Sequence, residues 1–190
     1  LLNSRGFSCT NYGIVHDNKH ELREKLHEVY ENNDAVILTG GSSVSVRDFC
    51  SELFEELSSP GLMVRGIRIK PGKPTLIAGS LTDHKVLFGL PGHPLSCMVV
   101  ALNIVLPLLI KSIALDLPDP VTFSFPCTQD IFGRTGMEEY IPCRILSNGV
   151  SPLMAKSGYI SALKDTYGFI RLTENQETMR KGDMVEVIPW

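Results

Sequence analysis

Three short stretches hold the residues with the most chemical capacity. Arg65, Arg68, Lys70 and Lys73 are four cations with no acid between them. Alternation along a strand would set Arg68 and Lys70 on one face, and the prolines of Lys70-Pro-Gly-Lys-Pro74 would stiffen the loop around Lys73. A charge run of this kind is ordinarily a solvated face, but two fixed lysines also suit a dianion. The second stretch follows the apolar run Ala35 to Leu38, where Thr39, Gly40, Gly41, Ser42, Ser43 and Ser45 lead into an expected helix. Its amides, hydroxyls and helix N-terminus would cradle an anion. The spacing is neither a P-loop nor a dinucleotide fingerprint, and a plain strand-to-helix turn would read the same way. Asp48 falls in the first turns of that helix. Beside a bound anion it would call for a divalent cation; alone it would balance the helix dipole. The third stretch, Gly89-Leu-Pro-Gly-His-Pro94, repeats the strand-turn-helix pattern with Pro91, Gly92, His93 and Pro94, and Ser96 just inside the helix.

Taken in order and spacing, TGGSSVSVRDF, KPGKP and GLPGHPLS resemble the molybdopterin molybdotransferases, the molybdenum insertases whose eukaryotic relative is the gephyrin E domain. Gly133-Arg134 to Tyr140 and Ser157 to Gly168 look like segments of that family's C-terminal β-barrel domain. The resemblance implies insertion of molybdate into adenylylated molybdopterin with release of AMP, assisted by Mg²⁺. On that reading Asp48 holds the cation and joins Lys70 and Lys73 in catalysis. Thr39 to Ser43 with Ser45, and Pro91 to Pro94 with Ser96, hold the pterin and its phosphate. Arg134 and Ser157 approach the site from the β domain. His93 departs from the asparagine common in the family. Two alternatives share parts of the pattern: a molybdopterin adenylyltransferase-like enzyme, which has a similar TGG turn but lacks KPGKP and the β domain, and a gephyrin-like peptide-binding scaffold. Tungstate matches molybdate in size and charge. The resemblance also implies a homodimer whose partner completes the site. It makes this chain a C-terminal portion, short of the first strand of its α/β domain, expected to bind ligand and turn over poorly.

The elements that must position these groups follow from pattern. With 190 residues, 43% hydrophobic and 21% charged, the chain has room for a real core. A formal net charge of -3 gives no global attraction to nucleic acid or anionic membrane. Five scattered cysteines form no C-x-x-C pair and suggest reduced thiols in the cytoplasm. No signal peptide opens the chain. The apolar stretch Leu95 to Ile110, interrupted by Pro107, reads as a buried helix kinked at that proline rather than a membrane span. A glycine-ended helical turn at Leu1 to Gly6 precedes strands at Ser8 to Val15, Ala35 to Leu38, Leu62 to Ile69, Thr75 to Ala78 and Val86 to Phe88. These alternate with helices at 18–32, 46–57 and 94–113. The pattern predicts a three-layer, mostly parallel α/β sheet over residues 1–117. After Leu117-Pro-Asp-Pro120, short strands near 121–127, 140–145, 150–154, 167–172 and 184–188, with a helical turn near 160–164, predict a small β-barrel domain over 118–190.

Overall fold

The computed structural model describes residues 1–40, 44–113, 121–153 and 163–190, with only the backbone described at 44–47. The break at Leu117 to Pro120, Ser157 and most of the turn near 160–164 lie outside the described residues.

Helix α1 (Lys19–Asn32) starts where the sequence indicated. The Asn18 side chain accepts hydrogen bonds from the amides of His20 and Glu21 at 2.9 and 3.3 Å, which satisfies two of the helix's orphan donors. Helix α2 (Val44–Leu57) follows strand β1 (Ala35–Thr39). Leu22, Leu26 and Tyr30 of α1 and Phe49, Leu53 and Phe54 of α2 pack on one face of the first sheet, against Val36, Leu76, Ala78 and Leu87. Burying a side chain such as Leu53 or Phe54 stabilises by about 1.5–3 kcal/mol.

The other face is covered by one long apolar helix. It runs as α3 (Pro94–Val100), a π-helical turn (Ala101–Val105) and α4 (Leu106–Ser112). Its Val100, Val105 and Leu109 pack on Ile77, Phe88 and Leu90, completing the expected three layers. Over its 19 residues the helix is long and apolar enough to cross a membrane, yet it serves here as a core helix. The expected kink takes the form of the π turn. Pro107 has no amide to donate four residues back and its ring crowds that carbonyl; a widened turn just before it accommodates both, with the Leu106 amide reaching Ala101.

The sheet itself differs from expectation. Strands β4 (Leu76–Ser80), β5 (Lys85–Leu90) and β2 (Pro60–Arg65) complete the order β1-β5-β4-β2. Only β1 and β5 are parallel; β4 is antiparallel to both β5 and β2. The mixed α/β class holds, but not the mostly parallel pairing. The cause is connection length: β4 reaches β5 through residues 81–84, too short a link for the crossover that parallel pairing requires. Ser8 to Val15 is not a strand either. The Gly13 amide bonds to the Asn11 side chain at 2.9 Å and Gly13 has φ +84°, a local turn in place of a ladder.

The expected strand Leu62 to Ile69 divides in two. β2 ends at Arg65, and β3 (Ile69–Lys70) leaves the first sheet to pair in parallel with β8 (Glu138–Leu146), Lys70 opposite Glu139. The C-terminal strand path is β3-β8-β10-β12-β6, where β6 is Phe123–Pro126, β10 Gly168–Leu172 and β12 Met184–Pro189. β9 (Gly149–Pro152) pairs with the far part of β8, and a single bridge, Cys127 to Val150, links it back to the end of β6. The strands thus come full circle around Cys143, Val150, Ile170, Leu172, Val185 and Val187. Two brief strands, β7 (Ile131–Phe132) and β11 (Thr178–Met179), form a separate ribbon that the sequence pattern does not announce. A third core, with Ile69, Leu95, Val99, Tyr140 and Phe169, joins the long helix to the second sheet.

Candidate functional site

Strand register brings the three motif stretches to one end of the first sheet. Thr39 pairs with Leu90, so the glycine turns that follow β1 and β5 leave the sheet side by side. They touch: a β-carbon on Gly92 would stand 3.2 Å from the Gly40 α-carbon. Gly40 itself has φ +116°, a conformation open to glycine. β4 runs against β5 with Leu76 opposite Gly89, which carries Lys73, Pro74 and Thr75 to the same edge. β2 ends there too, with Arg65 opposite Leu76. Carboxyl ends of parallel strands are where α/β sheets place ligands.

The lysine loop is held from three sides. The Thr75 hydroxyl, fully buried, donates to the Gly72 carbonyl at 2.7 Å. The Ile67 amide donates to the Lys73 carbonyl at 3.0 Å and the Gly66 amide to the Thr75 carbonyl at 2.8 Å. Gly72, at φ +138°, lies so close to the long helix that a β-carbon would meet Val100 at 2.6 Å and Ile69 at 2.8 Å.

The expected cation cluster is divided by its partners. Arg65 donates to Asp48 Oδ1 at 2.6 Å, both side chains about half exposed. Lys70 donates to Glu139 Oε2 at 2.7 Å, with the glutamate side chain only 4% exposed. Lys73 is exposed and has no ion-pair partner among the described residues. Arg68 does not share the surroundings of Lys70. It lines a cleft of about 390 Å³ with Ile69, Ile104, Glu138, Arg171 and Glu174; it precedes β3, so strand alternation does not tie it to the face of Lys70. In that cleft Arg171 is paired with Glu138 and lies 3.5 Å from Glu186. The Tyr140 hydroxyl donates to Glu138 at 3.0 Å. Burial first, and then the Glu138 charge, push the Tyr140 hydroxyl far above its usual range, so it stays a donor. The hydrogen bond to Glu138 raises the Arg171 guanidinium further.

The remaining sequence candidates are placed as follows. Thr39, Gly40, Gly92 and His93 are exposed, and Pro94 is half-buried. Pro91 is buried. Ser96 is 5% exposed, inside the first turn of α3. His93 precedes α3 and makes no side-chain cap. Gly41, Ser42 and Ser43 lie outside the described residues, as does the side chain of Ser45. Arg134 is exposed, on the turn before β8. As for a metal, no group of three or more His, Cys, Asp or Glu forms among the described residues. Asp48 has one oxygen bonded to Arg65 and could offer a cation the other. Glu139 is the residue that sequence reasoning passed over. The signal was there in the Gly133 to Tyr140 segment, but nothing in one sequence says that β3 crosses to meet it.

Comparison with known proteins adds the following. Residues 1–111 match the family described as the probable molybdopterin binding domain, and residues 125–190 match the MoeA C-terminal region, domain IV. A Methanocaldococcus jannaschii protein named for molybdopterin biosynthesis is 30% identical over 188 residues, 98% of this chain and 44% of its own length. The molybdopterin molybdenumtransferase of Synechocystis sp. is 24% identical across 100% of this chain and 47% of its own. Two crystal structures of the molybdopterin biosynthesis MoeA protein from Pyrococcus horikoshii superpose with a TM-score of 0.75 each. They are 28% and 21% identical, over 91% and 94% of this chain and 41% and 42% of theirs. The chain spans less than half the length of these relatives.

Proposed function

Since the chain belongs to the molybdopterin binding domain family and carries a MoeA-type C-terminal region behind it, we propose that it contributes the anion-handling wall of a molybdenum insertase. Its substrates are adenylylated molybdopterin and molybdate, and its products are the molybdenum-loaded pterin and AMP. One observation carries the reading: the glycine turn after β1, the turn after β5, the Asp48 helix and the lysine loop all converge on one sheet edge. Lys73 supplies positive charge that no carboxylate cancels among the described residues, and Lys70 offers the ammonium protons that Glu139 leaves unused. Fixed cations at a developing phosphate charge are worth more than mobile ones, since no reorganisation is needed as the bond breaks. The turns at Thr39 to Ser43 and Pro91 to Ser96 receive the pterin and its phosphate. Asp48 would hold a Mg²⁺, which would supply positive charge against the substrate phosphate. A match to domain IV favours the insertase over the adenylyltransferase alternative. On this reading the chain divides near 117–118, and the protein works as a cytoplasmic homodimer whose partner subunit completes the site.

The test is AMP release from adenylylated molybdopterin, with and without molybdate, in the protein and in its Lys73→Ala and Asp48→Asn variants. Molybdate-dependent release that falls at least tenfold in both variants supports the reading. Release indifferent to molybdate, or unchanged in both variants, overturns it.

A further inference from the structure

Glu139 is a charged side chain buried in an unfavourable way. One carboxylate oxygen accepts from Lys70 at 2.7 Å, while the other, Oε1, is buried with no partner among the described residues. Its partner Lys70 is 44% exposed. Withdrawing a carboxylate from water is costly unless its attraction to a partner and its hydrogen bonds offset the loss. A half-solvated ammonium on one oxygen repays little. The arrangement is therefore poor as a source of stability, but it fixes a direction. The carboxylate is anchored on β8, the longest strand of the second sheet, with Tyr140, Cys143 and Ile170 of its own and the neighbouring strand in the cores on either side. The parallel pairing of Lys70 with Glu139 sets the two residues side by side before their side chains meet.

From this we infer that Glu139 is a positioning residue for the oxyanion: it holds the Lys70 ammonium toward the motif edge of the first sheet, so that the C-terminal domain aims a group belonging to the N-terminal one. The inference rests on the anion-site reading above and deepens it. One Lys70 proton is committed to Glu139, which leaves two for an anion. An ammonium on a four-carbon stem otherwise samples many rotamers, and that freedom would have to be lost on each binding event.

Charge and position make opposite demands here, which gives the test its sign. Neutralising a carboxylate near an anion site tightens anion binding if only the local potential matters. It weakens binding if the carboxylate aims the ammonium. Tungstate binding is measured by titration calorimetry in the protein, in Glu139→Gln, in Glu139→Asp, in Lys70→Met and in the Glu139→Gln/Lys70→Met double variant, with thermal unfolding of each alongside. The expected result is binding about tenfold weaker in Glu139→Gln, within the range of coupled neighbours. Glu139→Asp keeps the charge at shorter reach and falls between. In the Lys70→Met background, Glu139→Gln no longer weakens binding, since only the local potential is left to change. Tighter binding in Glu139→Gln, or the same loss with and without Lys70, overturns the positioning role while leaving the anion site intact. Failure of the unaltered protein to bind tungstate at all overturns the anion site, and the positioning role with it.

Discussion

The packing of the lysine loop on the long helix yields a quantitative expectation. Replacing Gly72 by alanine introduces a methyl group whose carbon would lie 2.6 Å from Val100 Cγ2 and 2.8 Å from Ile69 Cγ2. Ordinary carbon contacts begin near 3.5 Å. Both neighbours are nearly or fully buried, at 0% and 4% exposure, so neither can swing into solvent. Overpacking of this kind costs about 1–3 kcal/mol. The backbone at φ +138° adds about 1–3 kcal/mol for a residue with a β-carbon. Together the loss is about 2–6 kcal/mol. With a urea m-value of about 3 kcal/mol per molar for a chain of this size, the unfolding midpoint falls by about 0.7–2 M. Gly182→Ala is the internal control. Gly182 has φ +95°, with nothing within 4 Å of a built β-carbon, so it carries the conformational part alone. Urea titrations followed by circular dichroism on both variants isolate the steric part by difference. Val100→Ala should recover some of it when combined with Gly72→Ala. If Gly72→Ala costs no more than Gly182→Ala, the loop is not clamped against the helix and the positioning of Lys73 argued above fails with it.

Other expectations follow from individual contacts. Thr75→Val keeps the buried shape but strands the Gly72 carbonyl, so it should lose about 1–3 kcal/mol in the same urea assay, whereas Thr75→Ser retains the hydrogen bond and should loosen the lysine loop less. Hydrogen bonds from Tyr30 and then Ser80 hold the Asp83 carboxyl below its ordinary range. Its contribution is therefore present above the ordinary aspartate pKa and lost as pH falls through the depressed one, and Tyr30→Phe should flatten that part of the acid unfolding curve; an unchanged curve would remove the contact from the account. Burial pushes the Cys50 thiol up to about 11 and the Cys143 thiol up to about 12, so an alkylating reagent at pH 8 should label exposed Cys9 first and those two only on unfolding, read by mass spectrometry. A chain cut between 111 and 125 should still elute as one particle in size-exclusion chromatography, because β3 and the third core bind the halves together; separate peaks would contradict that interlock.

Much of this architecture was legible in the residues. Asn18 announced α1, Pro94 announced the long helix, and the order of the three motifs placed them at strand ends. The expected helix at 46–57 is present within α2, since helix pattern is a local property. What was not legible was pairing. The gap between the expected strands Thr75 to Ala78 and Val86 to Phe88 is short, but the alternation of strands and helices suggested crossovers, and only the short link shows that β4 must return antiparallel. The division of Leu62 to Ile69 was hidden because Gly66 can either continue a strand or break it, and the decision belongs to β8, nearly seventy residues away. The same distance concealed Glu139. The positive run Arg65 to Lys73 read as one cluster because charge is visible in sequence and partners are not: Asp48, Glu139 and the Glu138 cleft divide it three ways.

The crossing of β3 also sets a schedule for synthesis. Lys70 and its partner Glu139 are 69 residues apart. At a translation rate of about 5–20 residues per second, the lysine loop waits about 3–14 s for the strand and carboxylate that fix it. During that interval the first sheet has β1, β2, β4 and β5 already available to pair, while β3 has no neighbour. Its basic loop is then a flexible tether carrying uncompensated charge, open to any polyanion nearby, and becomes part of a binding edge only when β8 has left the ribosome. A truncation that removes β8 would hold the protein in that earlier state permanently, with the first sheet paired and its lysines unaimed.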